Sequence, residues 1–82
     1  MTETTRTPAM PKVFEAAVYN KEVRECLKRW EHHEFYTDDW ANVHLIEVKA
    51  ETMDEARAIL ERRHPRAKGF VVENIIHLPD FV

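Results

Sequence analysis

The sequence contains no serine and only one glycine, Gly69, among its 82 residues. The lack of serine excludes every mechanism that uses a serine nucleophile. The lack of further glycines excludes the glycine-rich loops that hold phosphate groups in nucleotide-binding proteins. A single cysteine, Cys26, excludes a disulfide within one chain and is typical of a reducing compartment.

Long apolar runs and strong charge are also missing. No run approaches the roughly 20 residues that a membrane-spanning helix needs. The opening MTETTRTPAMPK has no apolar stretch of the kind found in secretory signals. The net charge of −3 gives no strong attraction to nucleic acid or membrane. We therefore expect a soluble cytoplasmic protein with no membrane contact.

The length allows one small domain. An 82-residue chain buries only about 60–65% of its unfolded surface, so its core is thin and a partner subunit often completes it. We expect residues 1–11, rich in threonine and proline, to form a flexible N-terminal arm. We expect residues 12–82 to form a single α+β domain.

The first part of this domain is predicted to be a strand followed by a helix. Residues 12–19 alternate so that Phe14, Ala16 and Val18 share one face. Asn20 is a good N-cap, and the helix is expected from Lys21 to His33. Its apolar stripe is expected to consist of Val23, Cys26, Leu27 and Trp30.

A strand, a capped helix and a third strand follow. The strands are predicted at residues 43–50 and 69–77. Thr52 and Glu55 match a capping box at the start of the helix, and Pro65 marks its end. The core-facing side chains are expected to be His44, Ile46, Val48 and Ala50 in one strand and Phe70, Val72, Asn74 and Ile76 in the other.

This order predicts a two-layer β-α-β-α-β sandwich in which both helices cover one face of a three-stranded sheet. The arrangement resembles ferredoxin-like and split βαβ domains, although such a resemblance implies no function. The strands on either side of the second helix should run parallel to each other. The direction of the first strand stays open, because the loop at residues 34–41 is long enough to return the chain.

The sheet face without helices is the first candidate site. A solvated face should alternate to polar residues, but this one carries a predicted interface of apolar side chains. These are Val13, Tyr19, Val43, Leu45, Val71 and Ile75. We prefer a homodimer formed through this face. The alternatives are that Leu78, Phe81 and Val82 fold over it, or that another protein docks there and the chain is a non-catalytic or regulatory subunit of an enzyme complex.

Four aromatic residues suggest a small-molecule pocket beside the first helix: Trp30, Phe35, Tyr36 and Trp40. The other interpretation is that they belong to the core. The basic segment 62–68 suggests weak nucleic-acid binding as a further alternative. Its charges are also explained by the end of a helix, and no aromatic residues alternate with them, so we do not favour a nucleic-acid partner.

No pattern predicts catalysis, a metal or a cofactor. His32 and His33 are helix neighbours that point about 100° apart, so they cannot readily share an ion. Asp38 and Asp39 are expected to accept hydrogen bonds from turn backbone. Cys26 lies within an apolar stripe and is expected to be inert. We therefore expect a binding or protein-interaction module, with an enzyme as the less favoured alternative.

Overall fold

The computed structural model describes residues 11–79. These residues form a three-stranded antiparallel sheet with the strand order β2-β1-β3, together with two helices. The elements in chain order are β1 (Lys12–Asn20), α1 (Lys21–Lys28), β2 (His44–Ala50), α2 (Met53–Arg63) and β3 (Phe70–His77). Short 3₁₀ turns lie at Asp38–Ala41 and Arg66–Lys68. The predicted α+β class is confirmed, whereas the expected arm lies almost wholly outside the described residues, as do residues 80–82.

The pairing of the strands determines the direction of β1. Both β2 and β3 run antiparallel to β1, so they run parallel to each other, as expected for the strands flanking α2. Because β1 lies between them, β2, α2 and β3 form a split βαβ unit. Within residues 11–79, no helix is long and apolar enough to cross a bilayer.

The core lies between the sheet and the helices. Phe14, Ala16 and Val18 of β1 are almost completely buried, as the alternation predicts. The other members of the core cluster are Val48, Ala50, Ala56, Leu60 and Phe70. From α1, Val23 is fully buried. Neither helix of residues 11–79 covers the opposite face of the sheet, which we call the open face.

A β-bulge in β3 changes which side chains reach the open face. Ala17 pairs with Asn74 and the next residue, Val18, pairs with Val72, so Glu73 has no partner in β1. An extra residue of this kind reverses the alternation of the strand beyond it.

The prediction for the end of β3 is therefore wrong. Ile75 was expected on the open face, but it pairs with Ala16 and packs against the core. His77 likewise lies beside Phe14, with ring centroids 5.2 Å apart. Ile76, which was expected in the core, lies on the open face and is 44% exposed.

The first helix ends five residues earlier than predicted. The backbone N–H of Glu31 donates to the carbonyl of Cys26, and that of Trp30 donates to the carbonyl of Leu27. These two bonds form a Schellman motif, whose C′ position here is Trp30 with a left-handed φ of 59°. The predicted stripe is wrong at its end, since Trp30 is 95% exposed.

Asn20 joins β1, α1 and β3. Its side-chain carbonyl accepts from the backbone N–H groups of Glu22 and Val23 at 2.9 and 3.1 Å, which confirms the predicted N-cap. Its amide group also donates to the carbonyl of Lys68 at 3.0 Å. The residue is fully buried, and each of these bonds replaces one to water.

Gly69 occupies the position beside this junction. Its φ of 97° is in the left-handed region, and an added Cβ would lie 2.7 Å from Oδ1 of Asn20 and 2.7 Å from Cγ of Glu22. Its carbonyl accepts from the N–H of Lys21 at 2.8 Å. The one glycine of the sequence is therefore required by both conformation and space.

The capping box of α2 is present in a modified form. Oγ1 of Thr52 accepts from the N–H of Glu55 at 3.1 Å, as predicted. The carboxylate of Glu55 reaches one residue further back than expected and accepts from the N–H of Glu51 at 2.7 Å.

We predict that Asn20→Ala lowers the free energy of unfolding by about 3 kcal/mol. This sum combines the loss of a helix cap, about 1 kcal/mol, with the loss of the part-buried bond to the carbonyl of Lys68, about 2 kcal/mol. Urea unfolding followed by circular dichroism measures it. Thr52→Ala is the matched control, since it removes an exposed cap alone and should cost about 1 kcal/mol. Equal losses in both variants would contradict a structural role for the bond to Lys68.

Candidate functional site

The open face is organised in rows that the strand register defines. Leu45, Ala17 and Asn74 form one row, and Tyr19 and Val71 form the next row toward α1. Two further rows lie on the side away from α1. The nearer one contains Glu47, Glu15 and Ile76, and the farther one contains Lys49 and Val13. Leu45 is 67% exposed, and Val13, Tyr19 and Val71 are half-buried.

These rows bring together most of the predicted interface. Val13, Tyr19, Leu45 and Val71 share the open face, and Ile76 takes the place expected for Ile75. Val43 precedes β2 rather than belonging to it, and it is 42% exposed. We use the term open-face patch for Val13, Ala17, Tyr19, Leu45, Val71 and Ile76.

Charged residues interrupt the open-face patch at one row. Glu15 and Glu47 are direct cross-strand partners. Like charges in this arrangement repel each other. Neither carboxylate makes an ion pair with another residue in the range 11–79, although Lys49 lies on the same face. The face therefore carries charges of both signs that are not paired within residues 11–79.

Arg24 covers one end of the open-face patch. Its guanidinium carbon lies 3.5 Å from the centroid of the Tyr19 ring, in a cation–π contact. Its Nε donates to the carbonyl of Ala41 at 2.6 Å, which holds the guanidinium in place. Tyr19 is consequently a fixed part of the surface.

The second candidate, the predicted aromatic pocket, is divided by the structure. Tyr36 and Trp40 pack edge-on against Phe70, with centroid distances of 5.0 and 5.2 Å, and thus extend the core. Trp30 and Phe35 face solvent and are 95% and 80% exposed. The four residues do not line one pocket together.

His33 fixes the loop that carries these aromatics. Its Nδ1 accepts from the backbone N–H groups of Phe35 and Tyr36, at 3.0 and 3.3 Å. Because Nδ1 accepts, the ring must carry its proton on Nε2, which lies 3.1 Å from a carboxylate oxygen of Glu22 and donates to it. The loop is therefore tied directly to the first turn of α1.

The other candidate histidines pair with the two aspartates. Nδ1 of His32 lies 2.8 Å from Asp38, and this hydrogen bond and the charge of the carboxylate raise the pKa of His32. Nε2 of His44 lies 3.3 Å from Asp39 and 3.0 Å from its backbone carbonyl. The aspartates were expected to accept from turn backbone, so the histidine contacts are a correction. Among residues 11–79, no three His, Cys, Asp or Glu side chains converge as metal ligands would.

His64 lies in a different environment, packed between Trp40 and Phe70 at centroid distances of 5.5 and 5.1 Å. Burial lowers the pKa of His64, and the charges of Arg63 and His44 lower it further. Its neighbours in the basic segment 62–68 are exposed at the end of α2 and in the following 3₁₀ turn. That segment offers no exposed aromatic ring for base stacking.

The open face and a cleft beside α1 are the two surfaces to compare. Cys26, Glu22 and His33 line the cleft, and Nε2 of His33 donates to Glu22. The open face carries a broad apolar surface. Sequence reasoning missed Ile76, because nothing in the alternation marks Glu73 as a bulge. It also missed that His33 holds the loop through hydrogen bonds. The one sequence feature that pointed to this role was the position of His33 near the predicted end of the helix.

No protein-family model matches the chain, and neither a curated protein nor a solved structure is similar to it.

We predict that Trp30→Gly raises the free energy of unfolding by about 1 kcal/mol. A left-handed conformation costs a non-glycine residue about 1–2 kcal/mol, and glycine recovers most of this despite its larger unfolded-state entropy. Phe35→Gly is the control, since it removes an equally exposed aromatic ring from a position without positive φ. A destabilised Trp30→Gly variant would mean that the indole contributes packing that its exposure does not suggest.

We predict that His64 makes the fold less stable as the pH falls. The folded-state pKa of His64 lies below the unfolded value of 6.5. Its contribution is therefore complete above pH 6.5 and is lost as the pH falls toward the folded pKa, because the unfolded chain takes up the proton first. The expected result is a fall in Tm between about pH 7.5 and about pH 5.5 that His64→Gln reduces.

His32→Gln is the control for this experiment. The pKa of His32 is raised, so its contribution is complete below the unfolded pKa and is lost as the pH rises through the folded value. Replacing His32 should therefore steepen the loss of stability in acid. A His64→Gln variant with an unchanged pH profile would contradict the assignment.

Proposed function

We propose that the protein is a small binding module that self-associates as a homodimer through the open face of its sheet. The observation that carries this proposal is the exposure of Leu45 and Ile76, at 67% and 44%, on a face that neither helix of the described residues covers. A sheet face in water normally alternates to polar side chains. Here exposed Leu45 lies in the row next to Tyr19 and Val71, with Ile76 in the row on its other side, and burying these side chains stabilises an assembly.

The size of the face supports a reversible dimer. Three strands about 4.8 Å apart and eight residues long give a face of about 15 by 26 Å. Two such faces pack about 10 Å apart with their side chains interdigitated. This footprint falls below the area of about 800 Å² per partner that stable complexes bury. We therefore propose association in the micromolar range.

The charges favour a second copy of the chain as the occupant. In an isologous dimer the same surface meets itself, so each face must supply both members of any ion pair. The open face has acids in Glu15 and Glu47 and a cation in Lys49, none of them paired among residues 11–79. A two-fold arrangement brings Lys49 of one copy toward the acids of the other.

The proposed cellular compartment follows from the cysteine. The sequence has one cysteine, Cys26, and it is a free, half-buried thiol. Such a protein needs no oxidising environment to fold. We place the dimer in the cytoplasm, and a fusion that reports localisation tests this.

Leu45→Lys should convert the dimer to a monomer. The substitution occurs twice in an isologous interface and places a charge in an apolar row of each copy, so we expect the dissociation constant to rise by roughly 100-fold or more. Sedimentation velocity across a concentration series measures this. Leu45 is exposed on the edge strand β2, so the folded chain should tolerate lysine, which circular dichroism verifies.

Phe35→Lys is the matched control, because Phe35 is 80% exposed but lies on the loop, away from the open face. It should leave the dimer intact. A wild-type chain that stays monomeric at about 100 µM contradicts self-association. The second candidate, a non-catalytic subunit that uses the same face, then becomes preferred, and a partner captured by the wild type but lost with Leu45→Lys supports it.

A further inference from the structure

A second surface feature is a cleft beside the start of β3, which shares Val71 with the open-face patch. It has a volume of about 260 Å³ and lies between α2, the Arg66–Lys68 turn, the first residue of α1 and the start of β3. Its apolar wall is formed by Phe70 and the two valines that follow it. Lys21, Arg57, Glu61, His64 and Arg66 supply its polar lining.

Three cations from separate elements converge on this cleft. Arg57 lies on α2, Arg66 in the 3₁₀ turn and Lys21 at the start of α1. Glu61, one turn after Arg57 on the same helix face, is the one acid in the lining. Within the described part of the chain, the three cations make no ion pair, whereas Lys28 and Arg29 are both paired.

A helix end accounts for Arg66 but not for the other two charges. The helix dipole favours cations in the last turn of a helix, which explains Arg62 and Arg63. Arg57, however, lies in the first half of α2, and Lys21 is the first residue of α1, where a positive charge is unfavourable. Cations placed against the dipole and against one another are stabilised by an anion between them.

Size and donor chemistry identify the class of anion. A cleft of about 260 Å³ is smaller than the roughly 300–1,000 Å³ of drug-sized ligand sites, so its size suits a small anion. Guanidinium groups bind phosphate oxygens through two parallel hydrogen bonds, and a lysine adds a mobile point charge. His64 adds a ring N–H beside the apolar wall.

We propose that this cleft binds a small phosphate-bearing anion, such as inorganic phosphate or a small phosphomonoester, between Arg57, Arg66 and Lys21. The two arginines hold the phosphate oxygens. The apolar wall at Phe70 contacts the rest of the ligand when the ligand is an ester.

Titration of the full chain with inorganic phosphate and with methyl phosphate, in chloride of matched ionic strength, tests this proposal. Calorimetry should give saturable binding with one site per chain and a dissociation constant of about 1 mM or below. Arg57→Gln and Arg66→Gln should each weaken binding roughly 10-fold or more, because each removes a charge-assisted hydrogen bond. Tighter binding of the ester than of phosphate identifies a ligand with an apolar part, and the reverse order identifies inorganic phosphate itself.

Arg62→Gln and Glu61→Gln are the controls. Arg62 has the same charge on the same helix but does not line the cleft, so its loss should change binding less than twofold. Glu61→Gln should tighten binding, since it removes the one acid. Absence of saturable binding overturns the proposal, and so does an Arg62→Gln variant that weakens binding as much as Arg57→Gln, because binding is then diffuse attraction to a basic surface.

Discussion

The structure depends on the buried side chain of Asn20. One amide caps α1 and bonds the carbonyl of Lys68, so the end of the central strand, the start of a helix and the approach to β3 meet at a single residue. A buried amide is costly unless every bond is made. Gly69 makes this geometry available by leaving space where any side chain would collide. The core of this chain is thin. The hydrogen bonds of Asn20 therefore fix the orientation of α1 relative to β1 and β3, which apolar packing alone does not specify.

The surfaces proposed for binding follow from this junction and from the order of the strands. With α1 fixed at the end of β1, both helices lie on one side, and within residues 11–79 neither covers the other side of the sheet. The same junction sets Lys21 beside the start of β3, opposite Arg66. Two surfaces of different chemistry therefore result: an apolar one on the sheet and a basic one beside α2. Neither requires residues placed by long loops.

Alternation and capping predicted most of the architecture. Short-range sequence patterns are sufficient to locate three features. These are the core side of β1, the caps at Asn20 and Thr52, and the boundaries of α2. Such patterns do not locate the end of α1, because a tryptophan seldom adopts the left-handed conformation that closes this helix. Of the four aromatic residues predicted to line a pocket, Tyr36 and Trp40 are core. Tyr36 and Trp40 differ from Trp30 and Phe35 because they contact Phe70, which is more than 25 residues away along the chain and whose position local patterns do not predict.

The bulge at Glu73 gives β3 one residue more than its pairing with β1 needs. Deleting Glu73 would leave Val72 opposite Val18 and Asn74 opposite Ala17, so the strand would become regular with Ile75 still toward the core. Straightening the strand with Glu73 retained would instead turn Ile75 outward and Ile76 inward. The strand therefore tolerates the loss of this residue better than the loss of its bulge.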